Sequence, residues 1–169
     1  MAILNPDHLF EQADKLISPP PAGPPRQVDL RRAISSAYYG LFHSCLVAAA
    51  DEFVGVTQRA TSRYALVYRS IDHKTLREIC NEAKKQTPPD RYVPYIPGGG
   101  FDANIQAFST AAIELQQKRH GADYNPQPRF RTSDAQLAVS IARSAVQRFK
   151  AANDEHRRLF LTLLVCPPR

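Results

Sequence analysis

Between residues 28 and 53 the apolar side chains recur at three- and four-residue steps, as Leu30, Ile34, Ala37, Tyr38, Leu41 and Cys45. That spacing lays them along one stripe of a long α-helix, and it conflicts with the two-residue alternation of a half-buried strand. Gly55 follows and closes the helix. The same period governs the other apolar segments. A first helix is predicted over 6–17, with Asn5 as N-cap and Pro6 at the first helical position. A third covers 59–70. A fourth covers 73–85, capped by Asp72, with Leu76, Ile79, Cys80 and Ala83 facing inward. A fifth covers 101–120. A sixth, capped by Thr132 or Ser133, covers 134–151 and carries the stripe Leu137, Ile141, Ala145 and Phe149. A last helix starts at Asn153 or Asp154 and runs to Val165. With no repeat and no strand pattern, the expected fold is all-α: one up-and-down bundle of five to seven helices over residues 1–169.

Two breaks punctuate this pattern. PPPAGPP, residues 19–25, reads as a stiff proline-rich loop. Residues 86–100 hold four prolines and three consecutive glycines, which argue against regular structure. A loop of that length in a compact domain is usually functional or mobile, and Tyr92, Tyr95 and Ile96 argue that part of it packs. At this chain length folding buries roughly 70% of the unfolded surface, so no disulfide is needed to hold the core. Cys45, Cys80 and Cys166 lack metal-ligand spacing and read as reduced, buried thiols of a cytoplasmic protein. No signal peptide is expected. The apolar run 159–166 is far shorter than the ~20 residues of a membrane span. No metal and no cofactor are expected.

The net charge of +6 is unevenly spread. Residues 1–58 carry four basic and six acidic side chains, leaving 18 basic and 10 acidic ones in 59–169. A basic, arginine-rich surface attracts phosphate, and arginine favours bidentate contacts.

Three sets of residues carry candidate chemistry. On the second helix Arg32, Ser36, Tyr39 and His43 step by four, three and four, so they share a face. His43 reads either as a core-edge histidine satisfied by a neighbouring hydroxyl or carbonyl, or as part of a cleft shared with Arg119 and His120. Arg69 and His73 are four apart, but Asp72 as an N-cap breaks the helix between them, so they read as surface residues at a junction. The third set is KRHGADYNP, residues 118–126. Basic residues before a glycine suit a helix C-cap at Gly121. The alternative is a site. Arg119 and His120 point about 100° apart on a helix. Asp123 on the turn is placed to hold Arg119 by a bidentate pair, and Tyr124 supplies a phenol and a ring.

RRAISSAYYGLFH, residues 31–43, resembles the second-helix signature of HEPN-type proteins, close to R-A-x-S-x-A-Y-Y-x-x-F-H. QKRHGADYNP, residues 117–126, resembles the end of a later HEPN helix. An Ala-rich helix with Phe149 near its end and a short Arg/Leu-rich helix follow in the family's order, so the resemblance covers roughly 28–165. It implies a helical bundle that usually dimerises, common in prokaryotic toxin–antitoxin and antiviral systems. Many members are metal-independent endoribonucleases. In the family's nuclease motif an Arg and a polar residue precede a catalytic His. Arg119 and His120 match the first two, but where the His belongs stand Tyr124, Asn125 and Pro126.

RNA cleavage of this kind needs an acid and a base near neutrality, and a tyrosine near pKa 10 is a poor substitute. The expectation is therefore a homodimer that binds RNA or a partner protein, with Arg119, Asp123, Tyr124, Arg32, Tyr39 and His43 at the site. One alternative is an endoribonuclease with a rearranged catalytic pair, Arg119 and His120. Another is an antitoxin-like or scaffold subunit for a nucleotidyltransferase-type partner.

Overall fold

Helix α2 (Gln27–Phe53) is buried on nearly every side, by Leu30, Ala33, Ile34, Tyr38, Leu41, Phe42, Cys45, Leu46 and Ala49 among others. A helix that is apolar all round belongs in the centre of a bundle, and the other helices pack around this one. The computed structural model describes residues 4–168, and among them there are seven α-helices and no strand. The others are α1 (Pro6–Ile17), α3 (Ser62–Tyr68), α4 (His73–Ala83), α5 (Ala103–Tyr124), α6 (Thr132–Ala151) and α7 (Asp154–Val165). α1, α3, α5, α6 and α7 all touch α2, while α4 docks on α5 and α7. By length and composition α2 would pass for a membrane span, but 67% of the relevant window is buried by its neighbours, as in the core helix of a bundle.

Local sequence explains the helix ends. Asn5, Asp72, Asp102 and Asn153 each accept backbone N–H groups of the first turn, satisfying donors that a helix leaves unpaired. The third helix, predicted over 59–70, is shorter and spans Ser62–Tyr68. A 3-10 turn at Val56–Gln58 comes first, and Thr61 then caps α3. α6 begins at Thr132, so neither Thr132 nor Ser133 is its cap. That position is Arg131, whose N–H is taken by the Asp134 carboxylate at 2.7 Å.

The inward face of α6 also differs from the expected stripe. Leu137 is 53% exposed, and the helix packs through Ala135, Ala138, Val139, Ala142, Ala145, Val146 and Phe149. Alanines let the α6 backbone approach α2 and α5 closely, which a leucine face would prevent. Phe149 meets Phe108 of α5 and Phe160 of α7, with ring centroids 4.7 and 5.9 Å apart. These three aromatics join α5, α6 and α7 into one core.

Loop 86–100 is partly regular after all, with a 3-10 turn at Val93–Tyr95. Tyr92 and Ile96 are buried, whereas Tyr95 is 51% exposed. Cys45 and Cys80 are buried free thiols, but Cys166 is exposed, because α7 ends at Val165 and the core does not extend past it.

Helices α1 and α2 meet closely at Gly40. A Cβ placed on Gly40 would sit 2.6 Å and 2.7 Å from two ring carbons of Phe10. Glycine there lets the Phe10 ring lie directly on the α2 backbone.

Candidate functional site

The expected C-cap at Gly121 is not formed. Gly121 keeps negative φ and helical geometry, α5 runs on to Tyr124, and the cap is Asn125, whose N–H donates to the Gly121 carbonyl at 3.2 Å. The cause is on α2. Arg31 reaches over the end of α5 and donates to four carbonyls: Ala122 at 2.8 Å, Asn125 at 2.7 Å, Pro126 at 3.2 Å and Pro128 at 2.6 Å. The first is a carbonyl that the helix terminus leaves without an intrahelical partner. Arg31 also stacks on Phe130, 5.2 Å from the ring centroid. Gln27 holds the same connection, donating to the Phe130 carbonyl at 2.7 Å and accepting the Phe130 N–H at 2.9 Å.

The extra helical turn sets the site's geometry. Arg119 and Asp123 become an i,i+4 pair, Nε to Oδ2 at 2.9 Å, with side chains only 13% and 18% exposed. The contact is a single hydrogen bond: the other carboxylate oxygen accepts the Ser35 hydroxyl at 2.5 Å, and the guanidinium's Nη2 is turned to the tyrosines. The expected bidentate pairing is corrected accordingly. Arg119 Nη2 donates to the Tyr39 hydroxyl at 2.9 Å and to that of Tyr124 at 3.5 Å. Its guanidinium carbon lies 5.3 Å from the ring centroid of Tyr39, 5.6 Å from Tyr124 and 5.9 Å from Tyr38, within cation–π range of all three. Burial works against the Arg119 charge, but Tyr39, Asp123 and Tyr124 outweigh it and raise its pKa.

His120 points elsewhere. It is exposed, with its ring 5.0 Å from that of Tyr124. The predicted polar face of α2 divides. Arg32 and Tyr39 line the same groove as Arg119. Ser36 turns towards Gln12 of α1 at 3.4 Å. His43 does not enter the groove. Its Nδ1 is 2.6 Å from the Tyr68 hydroxyl on α3, and burial lowers its pKa, helped by the neighbouring His73.

His73 is not the surface residue its junction position suggested. It is half-buried, with Nδ1 2.8 Å from the Tyr38 hydroxyl and its ring 4.1 Å from that of Phe42. Burial and the Arg119 charge both lower its pKa, and Asp72 opposes them. Arg69 is exposed, as expected.

The resulting groove has a volume of about 1040 Å³ and is lined by Arg31, Arg32, Arg119, Arg129, Tyr39 and Tyr124, with Asp123 as its one acidic side chain. Arg31 is spent on neutral carbonyls, so its charge is undiminished and adds to the groove's positive potential. Arg129, unremarked in the sequence, follows directly on the loop that Arg31 anchors. Exposed Val28 and Tyr124, at 54% and 64%, give the rim apolar surface. Such a groove can hold an anion and stack a planar group. No cluster of three or more His, Cys, Asp or Glu side chains able to hold a metal occurs among the described residues. No protein-family model, curated protein or solved structure matches this chain.

Proposed function

We propose that this is a HEPN-like protein that binds single-stranded RNA in the Arg119 groove without cleaving it. The observation that carries the reading is the composition of the groove, four arginines and two tyrosines around one carboxylate. Arginines recognise the phosphate backbone, and tyrosine rings take unstacked bases. Duplex RNA hides its bases, so the aromatic lining favours single strands. The reading that the RNA is left intact rests on the position of the family's catalytic histidine. His120 lies at the surface with its ring tilted against that of Tyr124, and Tyr124, Asn125 and Pro126 occupy the positions of the family's base.

The resemblance extends the proposal to a cytoplasmic role in prokaryotic defence or toxin–antitoxin biology. It also suggests a homodimer with Arg119 of both chains facing a shared cleft. The exposed Val28 and Tyr124 beside the groove would be covered in such a pair. Light scattering is then expected to give twice the chain mass at tens of micromolar, and a monomer at that concentration would remove the dimer from the proposal.

The binding test is a salt titration with single-stranded RNA in EDTA. Arg119→Ala is expected to weaken binding and to reduce the slope of log affinity against log salt by about one counterion. An unchanged slope and affinity would reduce Arg119 to a structural ion pair. Wild-type protein is expected to leave the RNA intact. Metal-free cutting that disappears in Arg119→Ala would establish the endoribonuclease reading instead.

A further inference from the structure

Arg119 is not the only basic group against the tyrosines of α2. His73, the first residue of α4, packs on the same two rings, 5.4 Å from the Tyr38 centroid and 5.8 Å from that of Tyr39. Its position is fixed twice. The Tyr38 hydroxyl holds Nδ1, and Gln116 of α5, one turn before Arg119, donates to its backbone carbonyl at 2.8 Å. Nε2 has no hydrogen-bond partner among the described residues, and neither does Nη1 of Arg119. Two nitrogens from different helices are thus left open beside one pair of tyrosines.

We propose that His73, next to the groove lining through Tyr39, is a second phosphate ligand beside Arg119, and that it takes up a proton from solvent when a phosphodiester binds against Arg119. This rests on the RNA-binding reading above.

The groups facing His73 decide its charge. From α2 these are Tyr38, Tyr39 and His43, from α5 Arg119, and on its own helix Asp72. Tyr68 of α3 reaches it only through His43. Burial disfavours the charged forms of Tyr38 and His43, so Arg119 and Asp72 are the charges that matter. In the free protein burial and Arg119 keep the imidazole neutral. A phosphate anion placed against Arg119 reverses that balance, because an adjacent negative charge favours the protonated ring. The linkage sign follows. Binding is tightest below the free-state pKa of His73, weakens as pH rises through the bound-state pKa, and is flat above it.

The probe is a short oligouridylate, since neither its diesters nor its bases titrate between about pH 5.5 and 8. Calorimetric titrations in two buffers of different ionisation heat count the protons taken up. Wild-type protein is expected to gain a fraction of one proton per site and to bind about tenfold more tightly at the acid end, the change that a pKa shift of one unit carries. His73→Asn keeps an amide near the Tyr38 hydroxyl. It is expected to lose the acid-side gain and to bind with flat pH dependence. His120→Ala removes a histidine outside the groove lining and is expected to keep the slope. Proton NMR of the wild-type histidines gives a check that needs no variant, since one ring's pKa should rise on adding the oligonucleotide. Binding without proton uptake, or a pH slope that survives His73→Asn, overturns the role of His73 and leaves the RNA reading standing. No binding at any pH overturns both.

Discussion

Replacing Arg31 with Ala is expected to destabilise the protein by about 2–4 kcal/mol, read as a lower midpoint in urea with an unchanged slope. Each of its four carbonyl bonds is charge-assisted, and a single such bond contributes roughly 1.5–3 kcal/mol. The total falls short of four times that figure because the freed carbonyls lie at a surface loop and can be rehydrated. The Phe130 contact is lost as well. Arg31→Lys should recover little, since an ammonium cannot span four acceptors spread from Ala122 to Pro128 as the guanidinium fork does. The same variant should weaken RNA binding through loss of order in the last turn of α5, which carries Asp123 and Tyr124. If Arg31→Ala leaves the unfolding midpoint in place, the clamp contributes nothing and Gly121 is helical for another reason.

The second large effect belongs to Gly40. Gly40→Leu is expected to cost more than about 3 kcal/mol and to detach α1, because even a Cβ meets the buried Phe10 ring at 2.6 Å. Gly40→Ala should cost less. Alanine gains about 1 kcal/mol of helix propensity over glycine, set against roughly 1–3 kcal/mol of overpacking. Detachment of α1 would show as protease cleavage within loop 19–25. In a double-mutant cycle with Phe10→Leu, the Gly40→Ala penalty should shrink, since the smaller side chain can yield. A penalty that persists regardless of residue 10 would mean that the contact with Phe10 is not its source.

Much of the architecture was legible because apolar period is a local property. The stripe of α2, the inward face of α4 and the caps Asn5, Asp72 and Asn153 all lie where short-range spacing puts them. Leu137 was misplaced because hydropathy ranks leucine above alanine, while close packing of α6 selects the alanines. Gly121 was misread as a stop because the residue that overrides its preference, Arg31, is 91 positions from its nearest acceptor, Ala122. Arg31 itself was hidden for a different reason: its partners are main-chain oxygens, which every residue has and no motif displays. At the site, Arg119, Asp123, Tyr124, Tyr39 and Arg32 were named from local pattern and share one groove. His73 was missed because a helix cap separates it from Arg69, and only the docking of α4 on α5 brings it to Tyr38.

The burial of α2 has a consequence for synthesis. The chain is made from its N-terminal end, so α2 emerges well before α5 and α6, which cover two of its sides. Until residue 124 has left the ribosome, only α1 and the short α3 and α4 region are available to shield a helix apolar enough to pass for a membrane span, and α6 joins only after residue 151. At about 5–20 residues per second, that interval lasts several seconds, far longer than helix formation itself. During it the nascent chain presents the surface that chaperones and membrane-insertion machinery recognise, which makes partitioning between folding and capture a co-translational property of this sequence.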